Sequence, residues 1–528
     1  MPETTKACQV EMADGKPCGR ELWGGGRCIF HSQNEDKDAK LFQKQLDEIL
    51  QDESLKTYDF THFIFPDEVV FPKKFSKPAL FGYAEFKGWA NFMFVAFEGG
   101  VNFLATAFKG KASFMGTSFA GGAIFSLATF ESEANFAPAL FKGEADFQCV
   151  TFKGEVNVGK AIFERKADFK DTAFKGNIKF LGASFKGAVN FRGATFEEEA
   201  DYSFVTFEGD TYFWEVRFKD YAHFTGAAFK GYTGFGGTIF KGDANFGSSA
   251  FEGNAAFTAA TFEEALVVIQ PEKDQKKTLH PEVDFRWVTF SKPEKVEFRK
   301  ADLSRFRFLG TDVRKVDFTD VKWYRQKDKG RNRAFDEVSP APDPKNPNIK
   351  KFDYELIGKL YRQLRANYEE NLRYSEAGDF YMGEMEMTKK AQTSIFKKLP
   401  LLFYKTISNY GESYYRPLGW IAAILLIFPL LFMFAGIEPV SLDPNNPIKD
   451  PIHYKLDFNS TVSFLPSREK IGDYYTSFLY SMSVFSFIRD KKYTTIDNWG
   501  HTLFVLESIL SPVTLAFFLL ALRRRFKR

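Results

Sequence analysis

From Phe81 to Phe262 the apolar positions keep a ruler that suits neither an ordinary helix nor an ordinary strand. One series of Phe returns every eleven residues: Phe92, Phe103, Phe114, Phe125 and on to Phe257, with Val158 and Tyr202 standing in. A second series does the same: Phe97, Phe108, Phe119, Phe130 and on to Phe262. The two interleave with alternating gaps of five and six, and Val70, Phe75, Phe81 and Phe86 carry the pattern backwards. An eleven-residue period also suits a right-handed supercoil of helices. On a helix, however, the two series would stand roughly 140° apart, and Gly would recur mid-helix at about 1 kcal/mol each. The intervening units, such as "ANF", "ADF", "TAFKG" and "GASFKG", are short extended pieces closed by turn residues. The pattern predicts a β-solenoid with Phe inside and Gly and Lys at the turns. Its coils should stack about 4.8 Å apart.

At Phe298 the ruler shortens. Phe298, Leu303, Phe308, Val313, Phe318 and Trp323 step by five, and the segment contains "ADLSR". In these residues the chain resembles the pentapeptide-repeat family, and the five/six array is similar to a Phe-rich variant of it. The resemblance covers residues 64–325, with a break at "IQPEKDQKKTLHPE". It implies a right-handed quadrilateral β-helix, with about eight coils for the eleven-residue array, or roughly 40 Å. Some members of the family mimic DNA, which requires a strongly acidic face. Here Asp and Glu are matched by Lys and Arg from turn to turn, so a solvated mixed-charge surface is expected instead.

Two later segments are long and apolar enough to span a bilayer, residues 417–436 and 501–522. Lys397, Lys398, Lys405 and Arg416 precede the first, and "RRRFKR" follows the second. By the positive-inside rule both termini are expected on the cytoplasmic side of a cell membrane, taken to be a bacterial inner membrane. The N-terminus has no apolar core of a secretory signal. Between the spans, residues 473–488 ("DYYTSFLYSMSVFSFI") would form a helix of about 22 Å, capped by Asp473 and too short to cross. Span, short re-entrant helix, span is the order of two-span ion channels. Irregular backbone at membrane depth needs protein or a water-filled pore around it. The expected pore-loop residues are Ser483, Ser486, Phe487, Ile488, Arg489 and Asp490. Glu507, an ionisable group early in the second span, is a functional candidate, and Ser511-Pro512 a candidate hinge. No "TVGYG"-like potassium filter is present. An interfacial helix packed on a plain membrane anchor is the alternative for residues 473–488.

Composition sharpens this picture in two places. The 528 residues carry a net charge of +3, too little for a field that would select nucleic acid. Of only four cysteines, three lie in the first 28 residues, and Cys8, Cys18, Cys28 and His31 are spaced C-x9-C-x9-C-x2-H. Three thiolates and one imidazole make a closed structural zinc set. Cys149 is expected as small core filler.

The expected organisation is a zinc motif (1–35), a helical or linker segment (36–63), the β-helix (64–325) and a Pro-rich linker (326–350). A cytosolic helical hairpin turning at "SEAGD" (351–412) and a membrane domain (413–528) complete it. Membrane-bound pentapeptide-repeat proteins carry a similar helical segment, a Tyr-Gly-Glu stretch and two spans. No paired carboxylates, nucleophile–base set or phosphate loop suggests an enzyme. The leading expectation is a homo-oligomeric channel, a tetramer most simply, with lipid around it and the β-helix as cytosolic scaffold or sensor. The alternative is an anchored scaffold that binds a protein partner without conducting ions.

Overall fold

The computed structural model describes residues 7–34, 37–67, 69–269, 281–326, 330–340, 351–440, 451–454, 468–486, 488 and 492–527. They fall into two compact units, Met1–Asn367 and Tyr368–Arg528.

The first unit is a four-sided parallel β-helix. Its sides are sheets of 12, 11, 11 and 9 two- to four-residue strands, deeper than the eleven-residue array alone predicts. Register explains the ruler. Ala112 pairs with Ala134 and Phe119 with Phe141, so one coil is 22 residues, or two eleven-residue units. Apart from the positions beside Val158, each inward Phe therefore lies on an aromatic ring one coil away: Phe92 on Phe114 at 5.1 Å, Phe103 on Phe125 at 5.0 Å, Phe108 on Phe130 at 4.4 Å. Within the core, neighbouring columns meet edge to face, as in Phe92 and Phe103 at 5.5 Å and 72°. Each such aromatic pair adds about 0.5–1.5 kcal/mol to simple burial. Where the sequence steps by five, the coil shortens, and Phe298 pairs with Phe318 only 20 residues on.

Glycines in the "KG" and "EG" turns have a steric reason. A Cβ on Gly143 would lie 2.2 Å from the carbonyl oxygen of Gly121, one coil below. The outer surface carries coil-to-coil ion pairs such as Lys153–Glu131 (2.6 Å), Lys219–Glu197 (3.1 Å) and Lys230–Glu208 (3.3 Å). These exposed pairs add little stability, but they make the mixed-charge face that the sequence predicts. Cys149 is not core filler. It stands exposed at a turn with φ 57°, where the equivalent turns carry Gly193 and Gly237.

Both solenoid ends are covered, as open edges of parallel sheets require. The coil begins at Tyr58–Asp59, inside the segment expected as helical or linker, and is preceded by α1 (Ala39–Gln51). Gln43 of α1 exchanges two 3.0 Å hydrogen bonds with the backbone of Val70, imitating a neighbouring strand. At the far end, residues 326–350 are not simply a linker. They hold α2 (Phe335–Val338), whose buried Asp336 accepts the Phe308 amide at 3.0 Å. In α3 (Tyr354–Glu370), the Asn367 amide donates to the carbonyls of Val313, Arg314 and Val316.

The second unit is helical. The chain turns at residues 371–373, with Leu372 at φ 58°, and "SEAGD" lies inside α4 (Tyr374–Ala391) rather than at the turn. A further helix, α5 (Ile395–Ser408), follows, so residues 351–412 form three helices instead of a hairpin. The apolar segments are α6 (Tyr415–Ala435) and α8 (Asn498–Lys527), both long and apolar enough to cross a membrane. Between them stands α7 (Arg468–Phe485), which begins earlier than expected. Asp473 is thus inside the helix, and its 18 residues span about 27 Å.

Candidate functional site

Two clusters bring chemistry-bearing side chains together. In the first, Cys8, Cys18, Cys28 and His31 converge with all ligand atoms within 4.8 Å of one another. Two hairpin-like turns deliver them: Cys8 and Cys18 sit on paired backbone (Cys8 amide to Arg20 carbonyl, Cys18 amide to Val10 carbonyl, both 2.8 Å). A turn closed by the His31 amide on the Cys28 carbonyl places the other two. Cys18 and Cys28 Sγ are 3.8 Å apart, and His31 Nδ1 lies 3.2 Å from Cys28 Sγ and 3.4 Å from Cys8 Sγ. A tetrahedron with Zn–S ~2.3 Å and Zn–N ~2.0–2.1 Å requires about 3.8 Å between sulfurs and about 3.6 Å from sulfur to nitrogen. The donor set fits that ion. His31 Nε2 faces the Thr61 carbonyl at 3.3 Å, which fixes the ring with Nδ1 towards the thiols, the usual outer support of a histidine ligand. The hydrogen bond from Cys28, aided by His31 and by the Arg20 guanidinium at 3.2 Å, holds the Cys18 thiol well below the ordinary thiol range and pushes Cys28 up.

This cluster is also the solenoid's N-terminal cap. Along one side of the β-helix each amide reaches a carbonyl one coil back, as Glu85 does to Phe63 and Ala107 to Ala84. At the first coil there is no coil behind, and the Ile64 amide bonds instead to the Phe30 carbonyl at 2.7 Å. The Phe30 ring stacks on Phe63 at 4.4 Å, continuing a core column. Phe30 lies between Cys28 and His31, so the four candidate ligands hold the residue that substitutes for the missing coil.

The second cluster lies in the helical unit. Helix α7 runs beside α6 in the same direction: the Tyr474 hydroxyl reaches the Leu426 carbonyl (3.3 Å), and Tyr480 packs edge-on against Phe432 (5.0 Å). It is therefore the limb that rises towards the end of α6, where Ile437–Pro439 pairs with Tyr493–Thr495. Any descending limb falls outside the described residues. Towards α8, Ser481 Oγ donates to Glu507 Oε1 at 2.5 Å. Ser477, Ser481, Glu507 and Ser511 are all buried to 1% exposure or less. Around them Ile424, Phe428, Phe432, Val484 and Leu503 form an apolar cluster.

The expected pore-loop residues fare differently. Ser483 and Ser486 turn their hydroxyls onto their own helix, to the Tyr480 and Met482 carbonyls (2.7 and 2.6 Å). Ile488 is exposed. Phe487, Arg489 and Asp490 lie outside the described residues. Glu507 is buried against α7, where it accepts the Ser481 hydroxyl. Helix α8 continues through Ser511-Pro512 without interruption. Ser477 and Ser481, which the sequence marks only as hydroxyls along an apolar segment, are functional candidates beside Glu507. Their signal was the i, i+4 spacing, mirrored by Glu507 and Ser511.

The Tyr-Gly-Glu stretch forms a third junction. Arg524 near the end of α8 donates to the Tyr410 carbonyl (2.9 Å), pairs with Glu412 (3.4 Å) and lies over the Tyr381 ring at 4.5 Å. Tyr410 Oη in turn bonds Glu386 of α4 (2.9 Å), which is also held by Lys405 (2.7 Å) and Lys389 (3.0 Å). Helices α4 and α5 are thereby tied to the end of the second apolar helix.

Comparisons with known proteins agree with the solenoid. A family model described as pentapeptide repeats (9 copies) matches residues 159–201, 169–217 and 191–239, all within the β-helix. An uncharacterised protein of Methanocaldococcus jannaschii is 32% identical over 151 residues, covering 26% of this chain and 33% of that relative. The chain thus matches only about a third of that relative's length. No solved structure matches. Repeat spacing, four-sided stacking and the family match within residues 159–239 fit a pentapeptide-repeat solenoid, followed in the chain by two helices long and apolar enough to cross a membrane.

Proposed function

We propose that the protein is a homo-oligomeric, ion-conducting membrane protein of the two-span type, with its solenoid as a rigid cytosolic scaffold. The observation that carries this reading is the buried Glu507–Ser481 pair between α7 and α8. An ionisable group in an apolar spanning helix is costly and is retained for function. The exposed apolar faces of the spans, including Leu426, Leu430 and Phe434 of α6 and Val505, Leu506 and Ile509 of α8, suit lipid and neighbouring copies. A pore needs several copies, and a tetramer is the simplest closed ring. Basic residues flanking both spans support cytoplasmic termini. The Cys3His set holds structural zinc, in a closed seat with no position for substrate, and the protein has no catalytic role.

A second reading, an anchored scaffold, is favoured by one surface feature. Tyr212, Trp214 and Tyr232 cluster on the outside of the solenoid, with Tyr212 and Trp214 rings 4.7 Å apart. The indole lies where a Cβ on Gly234 would be, 2.3 Å from its nitrogen. Mass measurement of the detergent-solubilised protein separates the readings: an oligomer is expected, and a monomer would eliminate the pore.

A further inference from the structure

We propose that Ser477, Ser481, Glu507 and Ser511 form a binding site for a monovalent alkali cation, built within a single chain between α7 and α8. The proposal rests on the reading of this unit as a membrane domain, and not on conduction.

The register places the four residues together. Helices α7 and α8 pack with Ser481 against Glu507, and their antiparallel course puts positions four residues back on α7 opposite positions four residues on along α8. Ser477 thereby faces Ser511, one turn from the Ser481–Glu507 pair. All four side chains are withdrawn from solvent, at 0–1% exposure. Among the described residues, Ser477 Oγ, Ser511 Oγ and Glu507 Oε2 have no hydrogen-bond partner, although each is buried. Serines elsewhere in these helices behave otherwise: Ser486 and Ser508 bond back to carbonyls four residues earlier. The seam therefore holds three orphaned oxygens in a place where an unmade bond is expensive.

The chemistry of the donors narrows the occupant. A bare carboxylate with a single serine donor is a poor state for an anion inside apolar helices. A proton would neutralise Glu507 and let its carboxyl donate to one serine oxygen, but it would leave the other unused. A hard cation uses all of them, because its ligands are oxygens. One carboxylate supplies one negative charge, so a monovalent ion leaves the seam neutral. A divalent ion would leave a net positive charge among Phe428, Val484 and Leu503. The site would hold α7 against α8, coupling ion occupancy to the packing of the membrane domain.

The test is hydrogen exchange of the purified full-length protein in lipid nanodiscs, read on peptides from α7 and α8, with solenoid peptides as internal control. Sodium chloride is compared with N-methylglucamine chloride at equal ionic strength and pH. Sodium should slow exchange in both helices about tenfold or more, saturably, and leave the solenoid unchanged. Ser477→Ala with Ser511→Ala, which keeps the charge and the fold, should raise the half-saturating sodium concentration tenfold or more. Glu507→Gln should abolish the response. Equal exchange in both salts, or a response unaltered in the double serine variant, overturns the proposal. So does protection that follows pH alone, which would make the occupant a proton. Sodium-dependent protection in a protein that passes no current would remove the pore and keep the site. Current without sodium-dependent protection would do the reverse.

Discussion

Replacing Cys28 by Ser, or stripping metal with a strong chelator, should open the first coil of the solenoid and leave the rest intact. Cys28 holds the turn that presents Phe30, and Phe30 supplies the Ile64 amide with its acceptor and stacks on Phe63. A lost buried hydrogen bond costs about 1 kcal/mol, and undocking a buried Phe about 1.5–3 kcal/mol. The sum, about 2.5–4 kcal/mol, corresponds to a roughly 10²–10³-fold faster exchange of amides over residues 58–65. Fraying should stop there, because each coil of a solenoid depends on its neighbours, and the next coil retains its own stacks such as Phe86–Phe108 (5.0 Å) and Phe81–Phe103 (4.8 Å). Hydrogen exchange with mass spectrometry resolves the two regions. Cys149→Ser, at an exposed turn remote from the cap, is the control. Unchanged protection of residues 58–65 after verified metal loss would refute the capping role. Loss of protection through residues 200–262 as well would refute the localised, coil-by-coil account.

Three further outcomes follow from the packing and the charges. Phe191→Ala removes a ring stacked at 4.9 Å on both Phe169 and Phe213, and should destabilise the middle of the solenoid by about 3–5 kcal/mol in denaturant unfolding. Burial opposes the charge on Glu386, but hydrogen bonds from Lys405, Lys389 and Tyr410 outweigh it and hold its carboxyl at about 2. A folded value below the ordinary one gives stability that is present above about pH 4.5 and lost as pH falls towards 2; thermal unfolding of α4 and α5 should show that loss, and Glu386→Gln should remove the slope. Burial raises Asp336 to about 6, against the hydrogen bond from Phe308 and the nearby Arg307. Its folded state holds an extra proton between about pH 4 and 6, so the C-terminal cap should weaken as pH rises through that window; Asp336→Asn should protect the Phe308 amide at pH 7 and change little at pH 4.

The solenoid was legible because its signal is repeated: a 22-residue coil writes the same inward Phe at the same offset, and no single error obscures it. Its ends were not legible, since caps are made once. Phe30 acts as a strand only through its carbonyl, and Asn367 and Asp336 look like ordinary polar residues of a helix and a linker. The Cys3His set was visible from residue type alone, but its task on Ile64 needed the fold. In the helical unit, length and apolarity revealed α6 and α8, whereas α7 was misplaced by five residues because Arg468, Glu469 and Lys470 disguise its first turn. The serines of this segment divide by helical phase. Ser483 and Ser486 resemble pore-lining hydroxyls in sequence, yet helical phase turns Ser477 and Ser481 towards Glu507 instead.

The central claim is tested most directly by recording current across planar bilayers containing the purified, oligomeric protein, in asymmetric KCl. The account predicts discrete unitary steps whose amplitude or open probability changes in Glu507→Ala. Electrical silence across voltage, from protein shown to be folded and oligomeric in the same bilayer, would contradict it.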